Sequence, residues 1–468
     1  MSEMPKGWAM AALNEVAETS LGKMLDAKRQ TGEHPRPYLR NINVRWGSFD
    51  LSDIAEMDIA PHELDRVLAL PGDVIACEGG EPGRAAVWRG QPIALQKALH
   101  RIRPVPGIAP EYLAYALRAA SSTKQLDRLF TGTTIKHLPQ DKLRQVQIPL
   151  APTGEQGRIV EAVEEAFSKL DAGEIGLRTG RRLLKRMRES VLSAAVTGRL
   201  VPQDPTDASA ATLLAGVGAD AIEGPDSATT PFGWAWSLLG SVAAIGGGIQ
   251  KQPSRFPIRN SAPFLRVANV GRGKLDLSEV HEIEVFDGEL ERFGLVKGDL
   301  LVVEGNGSPD QIGRSALWRG EIAPCVHQNH LIRVRPGPAL SPSYLELYWN
   351  SPAAARRIQA LASSSSGLHT LSTGKLKSLP VAVPPLAEQL RIVTEVERQL
   401  SFVEACERAV DVGLARSAGL RRSVLKAAFE GRLVPQDPSD EPASVLLERI
   451  RTERSARPAT KRRKRQST

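Results

Sequence analysis

Short apolar bursts bounded by turn residues fill two stretches of the chain, 1–150 and 231–383. The bursts VIAC at 74–77 and LLVV at 300–303 each follow a Gly-Asp turn, and short apolar runs of this kind predict strands. The spacing of apolar residues in YLAYALRAA at 112–120 predicts a helix instead, as it does in the similar segment YLELYW. Each stretch is therefore predicted to fold as a mixed α/β domain with many loops.

A strict seven-residue apolar step follows each of these domains. The residues at this step are Val163, Leu170, Leu177, Leu184 and Val191 in the first run, and Val396, Val403, Val410 and Val424 in the second. Such a step over about five heptads predicts a coiled-coil seam. A helix of ~45 residues is ~65 Å long at 1.5 Å per residue. We expect the two helices to pack together as an antiparallel coiled coil that separates the domains; the alternative is that each helix packs only on its own domain.

The ends of these helices carry sequence signals. Thr153 and Gln156, directly after Pro152, have the spacing of a capping box. Gly198 and Gly431, each followed four residues later by a proline, are typical of helix C-termini. The predicted segments are a domain at 1–150, a long helix at 151–201, a linker at 202–230 with a short helix near 208–214, a domain at 231–383, a long helix at 384–434, and a short helix with a basic tail at 435–468.

Much of the sequence occurs twice. The string GRLVPQDP is found at 198–205 and again at 431–438, 233 positions later. YLRNINV at 38–44 matches FLRVANV at 264–270, and EQGRIV matches EQLRIV in the same order. A repeat of this length far exceeds the ~20–50 residues of solenoid units. Each copy is therefore a domain-sized module, and we expect two tandem repeats with approximate two-fold internal symmetry.

Charge and cysteine content narrow the class of protein. The net charge is +8, but residues 451–468 alone carry +7, so the rest of the chain is close to neutral. A basic tail of this kind is either a nucleic-acid contact or a solubilising end. No apolar run is long enough for a membrane span. The three cysteines, Cys77, Cys325 and Cys406, are widely spaced, which is typical of reduced thiols in a cytoplasmic protein.

Catalytic motifs are not found in the sequence. It has no phosphate-binding loop, no HExxH and no Asp/Asn-Pro-Pro-aromatic motif of amino-methyltransferases. The glycines at 246–248 are interpreted as a turn. Cys325, His327 and His330 have metal-ligand spacing, but the first repeat lacks matching ligands, so we predict no metal site. Glu78 and Glu304, which follow matching strands, are interpreted as residues that orient loops rather than as catalytic acids.

Polar and basic residues in predicted loops do recur in both repeats. Arg and Lys suit guanine edges and phosphates, whereas Asn and Gln suit adenine edges. The candidates for DNA contact are Lys23, Lys28, Arg29, Arg40, Asn43, Arg45, Arg84, Lys136 and His137 in the first repeat, and Lys251, Gln252, Arg255, Arg266, Asn269, Arg272, Arg314, Gln328 and His369 in the second. The two sets share residue types but differ in detail, as expected if related modules read different sequences. The Arg and Asn residues at equal positions have an alternative role in structural hydrogen bonds.

The motifs together resemble the specificity subunit of type I restriction–modification systems over essentially the whole chain. The resemblance rests on the Pro-x-Gly-Trp segments at 5–8 and 231–234, the EQxRIV entry to each long helix and the GRLVPQDP exits. It implies two target recognition domains, each reading one half of a bipartite, asymmetric DNA site. It also implies that the helices set the spacer between the halves and dock two modification subunits.

The resemblance further implies that the catalytic centres lie on partner subunits. The modification subunits would bring S-adenosylmethionine to methylate adenine, and two restriction subunits would bring ATP and Mg²⁺ chemistry, with no cofactor held by this chain. Three other interpretations stay open at this stage: a specificity subunit of a type IIB-like enzyme, a scaffold with degenerate recognition loops, and a stand-alone methyltransferase or nuclease.

Overall fold

The computed structural model describes residues 4–26, 30–132, 134, 136–225, 230–306, 311–362, 364–365 and 368–456. These residues form two compact units, a first unit of residues 1–177 with 412–468 and a second unit of residues 178–411. Each unit combines a mixed α/β domain with parts of the long helices, so the predicted α/β class is confirmed. None of the helices among the described residues has both the length and the apolar character needed to cross a membrane.

The α/β part of the first unit is built on two four-stranded sheets. The strands of this unit are Ala9–Ala12, Ala17–Leu21, Pro35–Leu39, Val44–Arg45, Ser48–Phe49, Ala55–Asp58, Leu68–Ala69, Val74–Cys77, Ala85–Val87, Ile93–Leu95, Leu99–Pro104 and Gln147–Leu150. Its helices and helical turns are Leu13–Val16, Asn41–Asn43, Pro61–Glu63, Leu64–Val67, Pro110–Ser122, Gln125–Leu129, Gln140–Leu143 and the C-terminal helix Ala443–Ala456. One sheet is antiparallel throughout; the other contains one parallel pair, Ile93–Leu95 with Pro35–Leu39.

Among its described residues, the second unit has one four-stranded sheet and two three-stranded sheets. Its strands are Ala235–Leu238, Ala243–Gly246, Ser261–Leu265, His281–Glu284, Leu300–Val303, Gly305–Asn306, Ser315–Leu317, Val326–His327, Leu331–Pro336, Ser364–Ser365, Leu368–Thr370 and Pro380–Val383. Its helices and helical turns are Ala210–Gly216, Leu239–Val242, Pro253–Arg255, Val267–Asn269, Glu289–Phe293, Pro342–Trp349, Pro352–Leu361 and Thr373–Lys377. The antiparallel sheet and the parallel pair, here Val326–His327 with Ser261–Leu265, have the same order as in the first unit.

The central strand of each domain is apolar without alternation because both of its faces are covered. In the first unit, Val74 and Ala76 belong to the main core under the helix Pro110–Ser122, whereas Ile75 and Cys77 face a second core that contains Trp88. A strand buried on both sides has no solvent-facing positions, which explains the uninterrupted VIAC run. The LLVV strand of the second unit is buried in the same way between two cores.

The two predicted long helices span Thr153–Ala195 and Leu386–Phe429. The residues at the seven-residue step are all at least half-buried: Val163, Val191, Val396, Val403 and Val410 are buried, and Leu170, Leu177, Leu184 and Val424 are intermediate. The helices contact each other inside each unit. In the first unit, Ser417 donates to Glu174 at 2.7 Å and Arg421 lies 2.6 Å from Asp171. In the second unit, Arg188 lies 3.3 Å from Glu407.

The predicted capping box at the first long helix is wrong. The Gln156 side chain accepts the backbone N–H of Ala109 and donates to the carbonyl of Ala151, and the Thr153 hydroxyl donates to Gly107. Gln156 is fully buried, so its amide satisfies buried backbone groups of the neighbouring domain rather than the helix terminus. Thr153 and Gln156 therefore attach the helix to the domain.

The repeated GRLVPQDP segment closes each unit on its own opening segment. Gly198 and Gly431 both have positive φ, +67° and +66°, a conformation that favours glycine. A Cβ at Gly198 would lie within 3 Å of the ring of Pro231, and one at Gly431 would lie equally close to Pro5. Two matching ion pairs accompany this closure: Arg391 with Asp207 at 2.5 Å and Arg158 with Asp440 at 2.7 Å.

Candidate nucleic-acid interface

A short helical turn at Asn41–Asn43 follows one of the sheet strands of the first unit. The side chain of Asn43 is 2% exposed. Its amide nitrogen donates to the carbonyls of Asp50 and Asp53, both at 2.9 Å, and its oxygen accepts the N–H of Arg40 at 2.8 Å. The donors and the acceptor of this amide are thus occupied inside the domain. A DNA contact by Asn43 does not fit this placement, because its role is to shape the turn.

The turn Val267–Asn269 of the second unit is held by the same set of bonds. Asn269 is 3% exposed, donates to the carbonyls of Asp276 and Glu279 at 2.9 Å, and accepts the N–H of Arg266 at 2.8 Å. The structural alternative for the two asparagines therefore fits the geometry in both units. The exposed side chains of the two turns are therefore available for contact with a ligand, whereas the buried asparagines are not.

Four of the candidate arginines brace these turns. Arg40 lies 2.6 Å from Asp53, and Arg266 lies 3.2 Å from Glu279. Arg84 donates to the backbone carbonyl of Asn41 at 3.1 Å and to its side-chain oxygen at 3.0 Å. Arg314 donates to the carbonyl of Val267 at 3.0 Å, which is the corresponding position in the second unit.

Two further candidates are tied up in ion pairs. Lys23 lies 2.5 Å from Glu63. Arg255 makes two bonds of 2.7 Å to the carboxylate of Glu289 and stacks on the ring of Phe286 at 4.6 Å. The hydrogen bond from Lys23 holds the pKa of Glu63 below its usual value, and the hydrogen bond from Arg255 does the same for Glu289. Both cations are thereby neutralised within the domain, so a phosphate would have to compete with a carboxylate already in place.

The remaining candidates differ in accessibility. Those exposed to solvent are Arg45, Lys136, His137, Lys251, Gln252 and Arg272, whereas Gln328 is half-buried. Lys28 and Arg29 lie outside the described residues, and His369 lies in the strand Leu368–Thr370 with its side chain outside the description.

One cluster in the first unit brings several candidates together. Asn41, which accepts from Arg84, donates to the carbonyl of Gly79 at 2.6 Å. Gly79 also pairs through its backbone with His137. A Cβ at Gly79 would lie 3.0 Å from the His137 ring, so the close approach favours glycine there. Arg84 and His137 therefore belong to one surface.

The acidic loop that follows the strand Val74–Cys77 has local partners, and two of the residues with metal-ligand spacing, Cys325 and His327, are buried. Glu81 accepts the indole N–H of Trp46 at 2.6 Å and lies 3.2 Å from Arg84, so it orients this loop. Burial raises the pKa of the Cys325 thiol to about 12 and lowers the pKa of His327 to about 4. Within the part of the chain that the structure describes, no group of three His, Cys, Asp or Glu residues is placed to hold a metal ion.

Sequence reasoning missed two exposed apolar residues beside the candidate cations of the second unit. Phe256 is 71% exposed and Ile258 is 77% exposed. Phe256 lines a groove of about 530 Å³ together with Lys251, Gln252 and His281, and Ile258 follows two residues later in the chain. Spacing is the sequence signal that assigns apolar residues to a core. The segment RFPIRN at 255–260 has no period that would assign it to a helix or a strand. Its isolated apolar residues between basic ones were the available signal.

Comparisons with known proteins agree with the fold. Residues 5–179 match the family model described as type I restriction modification DNA specificity domain. The chain is 25% identical over 474 residues to the EcoKI specificity subunit of Escherichia coli K12, covering 97% of both chains. It is 25% identical to the StySPI specificity subunit of Salmonella potsdam, covering 97% of this chain and 96% of the relative.

Two solved structures share the fold along most of the chain. One comes from a study of complex assembly and conformational transition of the type I R-M system; it has a TM-score of 0.67 and 21% identity, covering 92% of this chain and all of that one. The other is the HsdS subunit from Thermoanaerobacter tengcongensis, with a TM-score of 0.51 and 22% identity over 92% of this chain and 98% of that one.

Proposed function

We propose that this chain, a specificity subunit of a type I restriction–modification system, reads two different DNA half-sites with its two α/β domains. The observation that carries the proposal is the pair of matching turns around Asn43 and Asn269. The same buried amide bonds hold both turns, while the exposed residues around them differ between the units. A common scaffold with different exposed side chains is the arrangement that recognition of an asymmetric, bipartite site requires.

Exposed cations would position the DNA, and exposed polar side chains would read it. Lys136 of the first unit and Lys251 of the second are exposed and would make phosphate contacts, which fix register without reading sequence, whereas the exposed Arg45 already lies 3.4 Å from Asp50. Gln252 and His137 offer donors and acceptors for base edges in the major groove. Because one chain carries both domains, binding of one half-site raises the effective concentration of the second domain at its own half-site.

The long helices would form an antiparallel coiled coil that sets the gap between the half-sites. The contact pairs support this packing, because partners rise along one helix as they fall along the other: Asp171 with Arg421, Glu174 with Ser417, and Arg188 with Glu407. The two modification subunits would dock on these helices, and two restriction subunits would join the complex.

The chain itself would be non-catalytic. The modification subunits would bind S-adenosylmethionine and take the target adenine out of the stack, and the restriction subunits would use ATP and Mg²⁺. Glu81 accepts the indole N–H of Trp46, and the candidate acid Glu304 lies 3.1 Å from His330, so both acids have local partners, as expected for residues that orient loops. The proposal therefore assigns no reaction to any side chain of this protein.

Co-expression with a modification subunit tests the proposal. Methylated adenines are mapped across the genome of a host that lacks its own methyltransferases, with and without this chain. We expect one bipartite motif with a fixed gap, present only when the chain is expressed. Methylation of the same motif in the absence of this chain would overturn the specificity role.

A further inference from the structure

The loop 255–260 of the second unit is clamped by one carboxylate. Glu284 accepts the backbone N–H groups of Ile258, Arg259 and Asn260 at 2.7, 3.1 and 3.0 Å. These bonds hold the pKa of Glu284 below its usual value. The loop leads directly into the strand Ser261–Leu265, and Ser261 lies opposite Glu284 in the ladder. The conformation of the loop is therefore fixed by the sheet next to it.

The other end of the loop is held by Arg255. Its two bonds to Glu289 and its stacking on Phe286 leave the Arg255 side chain 14% exposed. Glu289 also accepts the backbone N–H of Phe286 at 2.9 Å. Since both ends are anchored, the residues between them lose little conformational entropy when they contact a ligand, and such preorganisation increases affinity.

The clamped loop presents apolar side chains to solvent. Ile258 and Phe256 have the largest exposed fractions, 77% and 71%, among the large apolar residues that the structure describes. Contact with a partner would remove this apolar surface from water, which favours binding. A rigid loop that exposes two apolar residues is typical of a contact surface.

In the first unit, a carboxylate at the corresponding position holds a loop of different sequence. Asp58 accepts the N–H of Gly32 at 2.6 Å, the N–H of His34 at 3.1 Å and the hydroxyl of Thr31 at 3.3 Å. Asp58 lies opposite Pro35 in the ladder, the register that Glu284 has with Ser261. The loop 30–34 is exposed and polar. The clamps correspond in both units, while the loops they hold differ in chemistry.

We infer that the loops 30–34 and 256–260 are paired specificity loops, and that Phe256 and Ile258 contact a thymine methyl group in the second half-site. This inference rests on the proposed function. Apolar side chains recognise the C5-methyl of thymine in the major groove. The exposed Lys251 and Arg259 lie along the same segment and provide phosphate contacts beside the apolar pair.

The charges of this face are compatible with DNA. Glu284 and Glu289 are occupied by the loop itself. Glu279 lies 2.7 Å from His281 and 3.2 Å from Arg266, and the hydroxyl of Ser261 donates to Glu282 at 3.0 Å. Glu279, Glu284 and Glu289 thus face cations or backbone N–H donors, and Glu282 accepts a neutral hydroxyl. The exposed Lys251 and Arg259 point to an anionic partner rather than to an apolar protein surface.

The test uses the full chain assembled with its modification subunits and duplexes that carry the mapped motif. Each thymine of the motif is replaced in turn by deoxyuridine, which removes only the methyl group. For the unmodified protein we expect one such replacement in the second half-site to weaken binding about fourfold, the effect of one buried methyl group. Phe256→Ala should weaken binding to the thymine duplex and no longer distinguish thymine from uracil at that position.

Control variants separate the inference from other outcomes. Phe232→Ala removes an equally exposed phenylalanine, 66% exposed, from the same unit and should leave thymine discrimination intact. Glu284→Gln should reduce discrimination at the second half-site while binding to unrelated DNA is retained. Equal discrimination by Phe256→Ala and the unmodified protein overturns the inference, as does a Phe256→Ala effect confined to capture of the modification subunit. Failure of the proposed function would look different, because then no protein would prefer the motif over unrelated DNA.

Discussion

The indole N–H of Trp234 donates to a buried carboxylate oxygen of Glu388 at 3.0 Å. Trp8 and Glu155 repeat this relationship in the first unit, also at 3.0 Å. Both carboxylates lie in the first turn of a long helix, and burial raises the pKa of each. The bond therefore attaches the segment that opens each domain to the helix that follows the domain.

Replacing Trp234 by phenylalanine tests the contribution of this bond. Trp234→Phe leaves the buried carboxylate with only the longer bond from Gln203 at 3.4 Å, so we expect the second unit to lose about 1–3 kcal/mol of unfolding free energy. Urea denaturation measures the change. Trp46→Phe is the control, because its bond to Glu81 is near the surface, and it should change stability by less than about 0.5 kcal/mol. Equal effects of the two variants would contradict a special role for the buried bond.

Truncation of two adjacent residues on the second long helix should affect stability to very different extents. Val403 is fully buried at the seven-residue step, whereas Phe402 is 61% exposed. We expect Val403→Ala to destabilise the second unit by about 2 kcal/mol, because it removes buried methyl groups and leaves a cavity. Phe402→Ala should stay within about 0.5 kcal/mol. Thermal unfolding of the chain compares the two; a larger loss for Phe402→Ala would place the seam on the wrong face.

Each buried asparagine should matter for one half-site alone. Asn43→Ala removes the partners of the Asp50 carbonyl and the Arg40 N–H, while the Asp53 carbonyl keeps its bond from the Arg40 guanidinium, and the expected cost is about 1–3 kcal/mol. We expect it to reduce recognition of one half of the mapped motif, and Asn269→Ala to reduce recognition of the other half. Binding to duplexes with one half-site randomised measures this. If both variants weaken the same half, the assignment of one half-site to each unit is wrong.

Buried histidines predict a loss of stability in mild acid. Burial lowers the pKa of His100 and of His327 to about 4, from an unfolded value near 6.5. The unfolded chain therefore binds more protons between those values, so stability falls as pH decreases from about 6.5 to about 4. The loss for each group is up to about 3 kcal/mol. Unfolding at several pH values should show a weaker dependence for His100→Gln and for His327→Gln, and an undiminished dependence in both variants would contradict the prediction.

The apolar patterns of the chain predict its strands and long helices well, but they do not predict the use of its polar residues. VIAC and the seven-residue step report burial directly, because burial selects apolar side chains at fixed periods. In the sequence, Asn43 and Arg84 cannot be told apart from residues that contact bases, because Asn and Arg serve both roles. Only the three-dimensional positions of the Asp50 and Asp53 carbonyls reveal that Asn43 is occupied.

The clamped loops illustrate the same limit for apolar residues. Phe256 and Ile258 are exposed because Glu284 and Arg255 hold the loop away from the core. Glu284 is 24 to 26 residues distant in sequence from the backbone groups that it binds, and Glu289 is 34 residues distant from Arg255. Gln389 is a similar case, since its side-chain oxygen accepts the N–H of Ser341 at 2.7 Å, and the two residues are 48 positions apart in sequence. Long-range hydrogen bonds of this kind leave no periodic signal in the sequence.

Lengthening both long helices by one heptad tests whether they set the gap of the recognised site. Seven residues inserted after Leu177 and seven after Asp411 keep the phase of the apolar step and add about 10.5 Å. B-DNA rises about 3.4 Å per base pair on each strand, so the added length corresponds to about three base pairs. We expect methylation of the original motif to be lost and any new motif to have a longer gap. Insertion between Val217 and Gly218, in an exposed turn outside both long helices, is the control and should leave the gap unchanged. Methylation of the original motif at full level by the lengthened protein would show that the helices do not set the spacing.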